Sequence, residues 1–97
     1  MAKHFDVHMS DLFLGGCVAL GIDVGTDPLI HAVTWALERR PDFYQLVPGT
    51  QLRRLLVPPM PSLPRYRIWF RFPVNGAVVL EHIEEVSDWR DESDHYG

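Results

Sequence analysis

The sequence predicts an α+β fold, a helical hairpin packed on one face of a small antiparallel sheet in the order β-α-α-β-β-β. Three observations carry that expectation. Residues 65–86 read as a β-hairpin with alternating apolar positions around Asn75-Gly76. Residues 28–40 carry the apolar stripe, leading proline and closing arginines of a helix. No regular alternation of strand and helix runs through the chain, which disfavours a parallel α/β sheet. At 97 residues, 46 % hydrophobic and 23 % charged, the chain suits one domain with one core, placed at 1–87, followed by an acidic tail over 88–97.

In residues 4–9, Phe5, Val7 and Met9 alternate with His4, Asp6 and His8, the period of a half-buried strand. Ser10 then caps a helix through 11–21, with Asp11 at its positive end. Gly15 and Gly16 each weaken that helix by about 1 kcal/mol relative to alanine, so tertiary packing has to hold it. Glycines and aspartates make a turn of residues 21–27. Thr26 or Asp27 caps the second helix and Pro28 takes its first position. Leu29, Ile30, Val33, Ala36 and Leu37 form its apolar stripe, and Trp35 is assigned to helix packing. Arg39 and Arg40 suit its negative end, and Pro41 stops it. Residues 51–58 read as a second strand. The four prolines of 58–64 exclude a central strand or a helix interior there.

The hairpin register follows from its loop. Val74-Asn75-Gly76 suits three residues, with Gly76 in the left-handed region. Phe72 then lies opposite Val78, Phe70 opposite Leu80 and Ile68 opposite His82. Tyr66, Ile68, Phe70, Phe72, Val78 and Leu80 form the core face. Arg65, Arg67, Trp69 and Arg71 share the other face with Val79, Glu81, Ile83 and Glu85. A two-residue Asn-Gly loop puts Glu81 opposite Phe70 and leaves Leu80 among the arginines, so the apolar count favours three. His82 is expected as a hydrogen-bonded histidine at the core edge.

The formal net charge of −4 hides an asymmetry. Between residues 39 and 71 seven arginines (39, 40, 53, 54, 65, 67, 71) stand against Asp42, a net of +6. Between 81 and 94 seven acids (81, 84, 85, 88, 91, 92, 94) stand against Arg90, a net of −6. Arginine suits planar recognition of phosphate or carboxylate. The acidic total argues against non-specific nucleic-acid binding, while the local arginine cluster keeps a phosphate partner open. The two halves allow a clamp, with the tail folded over the arginine face, or simple pairing of Glu81 and Glu85 across the hairpin with the tail unattached.

The lone cysteine, Cys17, excludes an internal disulfide, fits a reducing compartment, and is expected to be packed and inert. Its apolar run, 12–22, is too short to span a bilayer, and the first residues lack a signal-peptide layout. A cytoplasmic chain with no membrane partner is expected. His4 and His8 would lie about 13 Å apart on a strand, too far to share a metal. With no Cys-x-x-Cys or His-Glu-x-x-His spacing, neither a metal nor another cofactor is expected.

Three stretches, "VPGTQLRRL" at 47–55, "LPRYRIWFRF" at 63–72 and "AVVLEHIEEV" at 77–86, together with the element order, resemble the RelE/ParE family of toxins from bacterial type II toxin–antitoxin systems. The resemblance implies a toxin neutralised by a cognate antitoxin protein, usually through an extended acidic or amphipathic segment. It leaves the target open. RelE-like members are mRNA interferases that cut messenger RNA in the ribosome, and ParE-like members inhibit DNA gyrase without a nuclease site. A diverged sheet protein that only binds a protein partner is the further alternative. An endoribonuclease of the first kind uses the ribose 2′-hydroxyl as nucleophile, so it needs cations and proton carriers rather than a metal. On the carry-over, Arg67 and Arg90 stabilise the phosphorane-like transition state and Tyr96 transfers a proton. Arg53, Arg54, Arg65, Trp69 and Arg71 would bind substrate. The tail is acidic here, where nuclease members are basic.

Overall fold

A computed structural model describes residues 4–57 and 65–86 of the chain. The elements run β1 (Val7–Met9), α1 (Asp11–Ala19), α2 (Pro28–Arg39), a 3-10 turn (Pro41–Phe43), β2 (Leu52–Leu56), β3 (Arg65–Val74) and β4 (Ala77–Val86). Both helices pack against one face of a four-stranded sheet of order β1-β4-β3-β2, an α+β architecture. The proline-rich stretch 58–64 and the tail 88–97 lie outside the described residues.

β2, β3 and β4 are antiparallel neighbours, but β1 runs parallel to β4, with Val7 beside Val78 and Met9 beside Leu80. The sheet is therefore mixed, not antiparallel throughout. Alternation of apolar residues fixes which side chains point inward and carries no information on strand direction. No tight turn ties β1 to its neighbour, so packing alone sets its sense.

Both helix starts follow from local chemistry. The Ser10 hydroxyl accepts from the amide of Phe13, and the Asp27 carboxylate accepts from the amide of Leu29, with Pro28 in the first turn. Arg39 Nη1 donates to the carbonyl of Trp35 at 2.8 Å, in the last turn of the helix where a cation is favoured. Phe13 and Cys17 of α1 and Ile30, Val33 and Leu37 of α2 reach the core. Trp35, in contrast, is 60 % exposed, with the Arg39 guanidinium 4.1 Å from its ring centroid. The expectation that Trp35 packs the helix inward is corrected: it sits five residues beyond Ile30 and two short of Leu37, off the buried stripe.

The hairpin register has two parts. Val74 pairs with Ala77, so the loop is the two residues Asn75-Gly76, both with positive φ (51° and 79°), not three. Between Val74 and Arg71 the register shifts, with Phe72 and Pro73 on β3 spanning the place of Val78 alone on β4. Proline has no amide hydrogen for a ladder and is at home in such a bulge. Phe70 then faces Leu80, as the three-residue register would have it. A second shift between Trp69 and Phe70 inserts Glu81 on β4, after which Trp69 pairs with His82 and Ile68 with Ile83. The expectation of Ile68 opposite His82 is thus overturned, and Ile83 moves from the arginine face into the core. Each bulge adds a residue to one strand, and the two compensate.

The result is a closed apolar layer. Ile68, Phe70, Val78 and Leu80 are completely buried, Ile83 and Leu55 nearly so, and Phe5, Tyr66 and Phe72 pack against them. Burial of each large side chain contributes about 1.5–3 kcal/mol. α1 lies close on β4: a Cβ on Gly16 would come within 3.0 Å of Ile83 Cγ2, whereas one on Gly15 would meet nothing within 4 Å. Alanine should therefore act differently at neighbouring positions. Gly15→Ala is expected to raise the unfolding free energy by about 0.5–1 kcal/mol from helix propensity. Gly16→Ala should gain less or lose stability, because Ile83 must move. Urea midpoints of the two variants check this.

Candidate functional site

The helices leave the second face of the sheet uncovered by any other described element, and the paired strands arrange it in rows. Because successive strand residues alternate faces, Arg65, Arg67, Trp69 and Arg71 of β3 lie opposite the buried Ile68 and Phe70. Across the strands, one row is Leu56, Arg67 and Glu84; the next is Arg54, Trp69 and His82; the third is Leu52, Arg71, Val79 and His8. Arg65 stands beside Val86 at the end of the sheet. Neighbouring strands are about 4.8 Å apart. The middle row therefore brings a guanidinium, an indole and an imidazole together over about 10 Å.

Two ion pairs stiffen the flanking rows. Arg67 Nη1 lies 3.0 Å from Glu84 Oε1, and Arg71 Nη2 donates to Glu81 Oε1 at 3.0 Å. The Arg67 side chain is only 13 % exposed, and its guanidinium carbon lies 5.5 Å from the Trp69 ring centroid. His82 also lies against Trp69, with ring centroids 5.1 Å apart and the planes tilted by 38°. His82 Nε2 is 3.9 Å from Glu84 Oε2, beyond hydrogen-bond distance but close enough for their charges to interact. Four arginines (54, 65, 67, 71) against Glu81 and Glu84 give this face a formal +2, within a chain that is acidic overall.

The residues expected at the site separate as follows. Arg54, Arg65, Arg67, Trp69 and Arg71 share the open face. Arg53 does not. It pairs with the buried Phe70, and its Nη1 donates to the carbonyls of Tyr44 at 2.7 Å and Asp42 at 3.4 Å, tying the strand to the segment after α2. Adjacent residues of a strand cannot share a face, so Arg53 and Arg54 part company. Arg90 and Tyr96 lie outside the described residues, as does the clamp expected of the acidic tail. His82, expected at the core edge opposite Ile68, instead stands on the open face beside Trp69, its side chain 46 % exposed. The sequence signal for this was the three-residue step from Leu80 to Ile83, which breaks the period of two and marks a bulge.

Elsewhere the molecule offers less chemistry. An open groove of about 430 Å³ beside α1 is walled by Leu14, Val18, Ile22 and Val24, with Asp23 at its rim and Cys17 beneath. Cys17 is completely buried, and burial first, then the Asp27 charge, raises its thiol pKa, so it is a core thiol and not a thiolate. Among the described residues, no three His, Cys, Asp or Glu side chains form a cluster suited to a metal ion. No helix there is long and apolar enough to cross a membrane. No protein-family model, characterised protein or solved structure matches this chain.

The electrostatics of the open face can be tested with Glu84→Gln. A unit charge about 5 Å away near a wet surface is worth about 1 kcal/mol. The variant should bind inorganic polyphosphate roughly fivefold more tightly at low salt, with the gain shrinking at high salt. Its stability should fall by about 1–3 kcal/mol, because the largely buried Arg67 guanidinium loses its charged partner. Titration at two salt concentrations reads the first effect and urea unfolding the second.

Proposed function

We infer that this chain is the toxin component of a type II toxin–antitoxin pair, and that its open sheet face acts on messenger RNA. The observation that carries the reading is the middle row of that face, Arg54, Trp69 and His82, flanked by Arg67 and Arg71. An indole accepts the face of any base, worth about 1–3 kcal/mol per stacked base. Guanidiniums on either side suit the phosphates of the same strand, and their planar forks stabilise charge that builds on a phosphate during cleavage by its own 2′-hydroxyl. The element order β-α-α-β-β-β agrees with the resemblance to RelE/ParE-like toxins. Neutralisation by a cognate antitoxin protein and a cytoplasmic site of action belong to the same reading.

One observation favours a second reading, a non-enzymatic toxin that grips a protein such as DNA gyrase. Arg67 and Arg71 are already paired with Glu84 and Glu81, which weakens their pull on a phosphate and suits a mixed-charge protein surface.

Expression in a growing bacterial culture, with and without the antitoxin partner, tests the toxin assignment through growth arrest and rescue. On translating ribosomes, Arg67→Ala should lower messenger cleavage by about 10²–10³-fold while the protein remains folded by circular dichroism. Trp69→Ala should chiefly weaken binding. Growth arrest that persists in Arg67→Ala with no cleavage at any stage would replace the RNA reading with the protein-target one.

A further inference from the structure

We propose that His82 is the group that carries the proton during cleavage, a role the resemblance gave to Tyr96; this rests on the RNA reading of the open face. The cations and the indole of that face cannot take the proton. Arginine stays protonated at any physiological pH and cannot accept a proton. Trp69 offers only an indole N–H. Glu81 and Glu84 are engaged by Arg71 and Arg67, each at 3.0 Å, rather than turned toward Trp69. A histidine, with an ordinary pKa near 6.5, can take and return a proton near neutral pH.

His82 is also in the right place. The bulge at Glu81 turns it out of the core and onto the open face, beside the Trp69 ring on which a base would stack. Trp69 lies one strand spacing from His82 on β4 and from Arg54 on β2, so the imidazole and a guanidinium flank the ring on which a base would stack. The charges around the imidazole come from every neighbouring row. Glu84 is nearest, with Oε2 3.9 Å from Nε2. Arg67 and the Arg71–Glu81 pair flank it on β3 and β4, Arg54 lies across Trp69 on β2, and His8 stands at the β1 edge beside Val79.

The step balances without a co-reactant. The 2′-oxygen attacks the adjacent phosphorus as its proton passes to neutral His82. The bond from phosphorus to the 5′-oxygen breaks, and the imidazolium returns the proton to that oxygen. The products are a 2′,3′-cyclic phosphate and a 5′-hydroxyl, His82 ends neutral, and nothing is oxidised or reduced. Arg67 and Arg54 hold the phosphate oxygens while their charge is highest.

The test uses the full chain, translating ribosomes and a 5′-labelled messenger, read as single-turnover cleavage against pH. The wild-type rate should fall on the acid side, where a general base is protonated. His82→Ala should cut the rate by about 10²-fold or more and abolish that limb, while messenger binding changes less than about threefold. Added free imidazole should restore part of the His82→Ala rate, which a merely structural role would not allow. His8→Ala should retain both rate and pH profile. His82→Gln, closer in size, repeats the measurement if the alanine variant does not fold. A His82→Ala or His82→Gln protein that cleaves within threefold of wild type, or keeps the acid limb, overturns the role of His82 and leaves the RNA reading standing. A wild-type chain that arrests growth yet never cleaves RNA overturns both.

Discussion

Two opposed β-bulges in one hairpin hold this molecule together. A two-residue loop at Asn75-Gly76 would, unbroken, align Arg71 with Leu80 and put a guanidinium and a leucine on the same face. The extra residue at Phe72–Pro73 brings Phe70 over Leu80, and the extra residue at Glu81 restores the outer register. Between the bulges β4 buries its even positions, Val78 and Leu80; beyond them it buries Ile83. The same shift sends His82 and Glu84 outward, onto the face of Arg67 and Trp69. Packing and site therefore depend on one feature, since Ile83 cannot reach α1 and Gly16 unless His82 faces away from them.

The arginines divide by task once the strands are placed. Arg39 closes the end of α2, and Arg53 pins the segment after it through two carbonyls. Both donate to backbone oxygens, a structural use of a side chain with many donors. Arg67 and Arg71 are held by Glu84 and Glu81, and the Arg67 guanidinium carbon and the His82 ring centroid lie 5.5 and 5.1 Å from the Trp69 ring centroid. The Arg71–Glu81 pair, with Arg71 42 % exposed, contributes little to stability, whereas the largely buried Arg67 depends more on its partner. The effect of the two pairs is to keep three long side chains in one arrangement, which reduces the ordering cost of binding.

Much of the fold was legible because local chemistry and tertiary packing agree. Ser10 and Asp27 cap where their side chains can reach the first amides, and Ile30, Val33 and Leu37 lie on one helical stripe. The arginine face was legible from the alternation of Ile68 and Phe70 with Arg67, Trp69 and Arg71. The hairpin loop was misread because a count of apolar pairs assumed one register for the whole hairpin. Two registers satisfy those pairs better than either alone, and Pro73 was the clue. Grouping Arg53 with Arg54 ignored the period of the strand. Trp35, expected in helix packing, lies off the buried stripe of α2 and is exposed. The direction of β1 had no signal to read.

The central claim is that the face built by the bulged register is the surface that meets RNA. Nuclear magnetic resonance of the labelled chain, titrated with a short single-stranded RNA, tests it most directly. The account predicts shifts gathered on Arg54, Arg67, Trp69, Arg71 and His82, with Leu12, Val18 and Trp35 on the helical side unmoved. Shifts centred on the helices, or none at RNA concentrations that shift other single-strand binders, would contradict it.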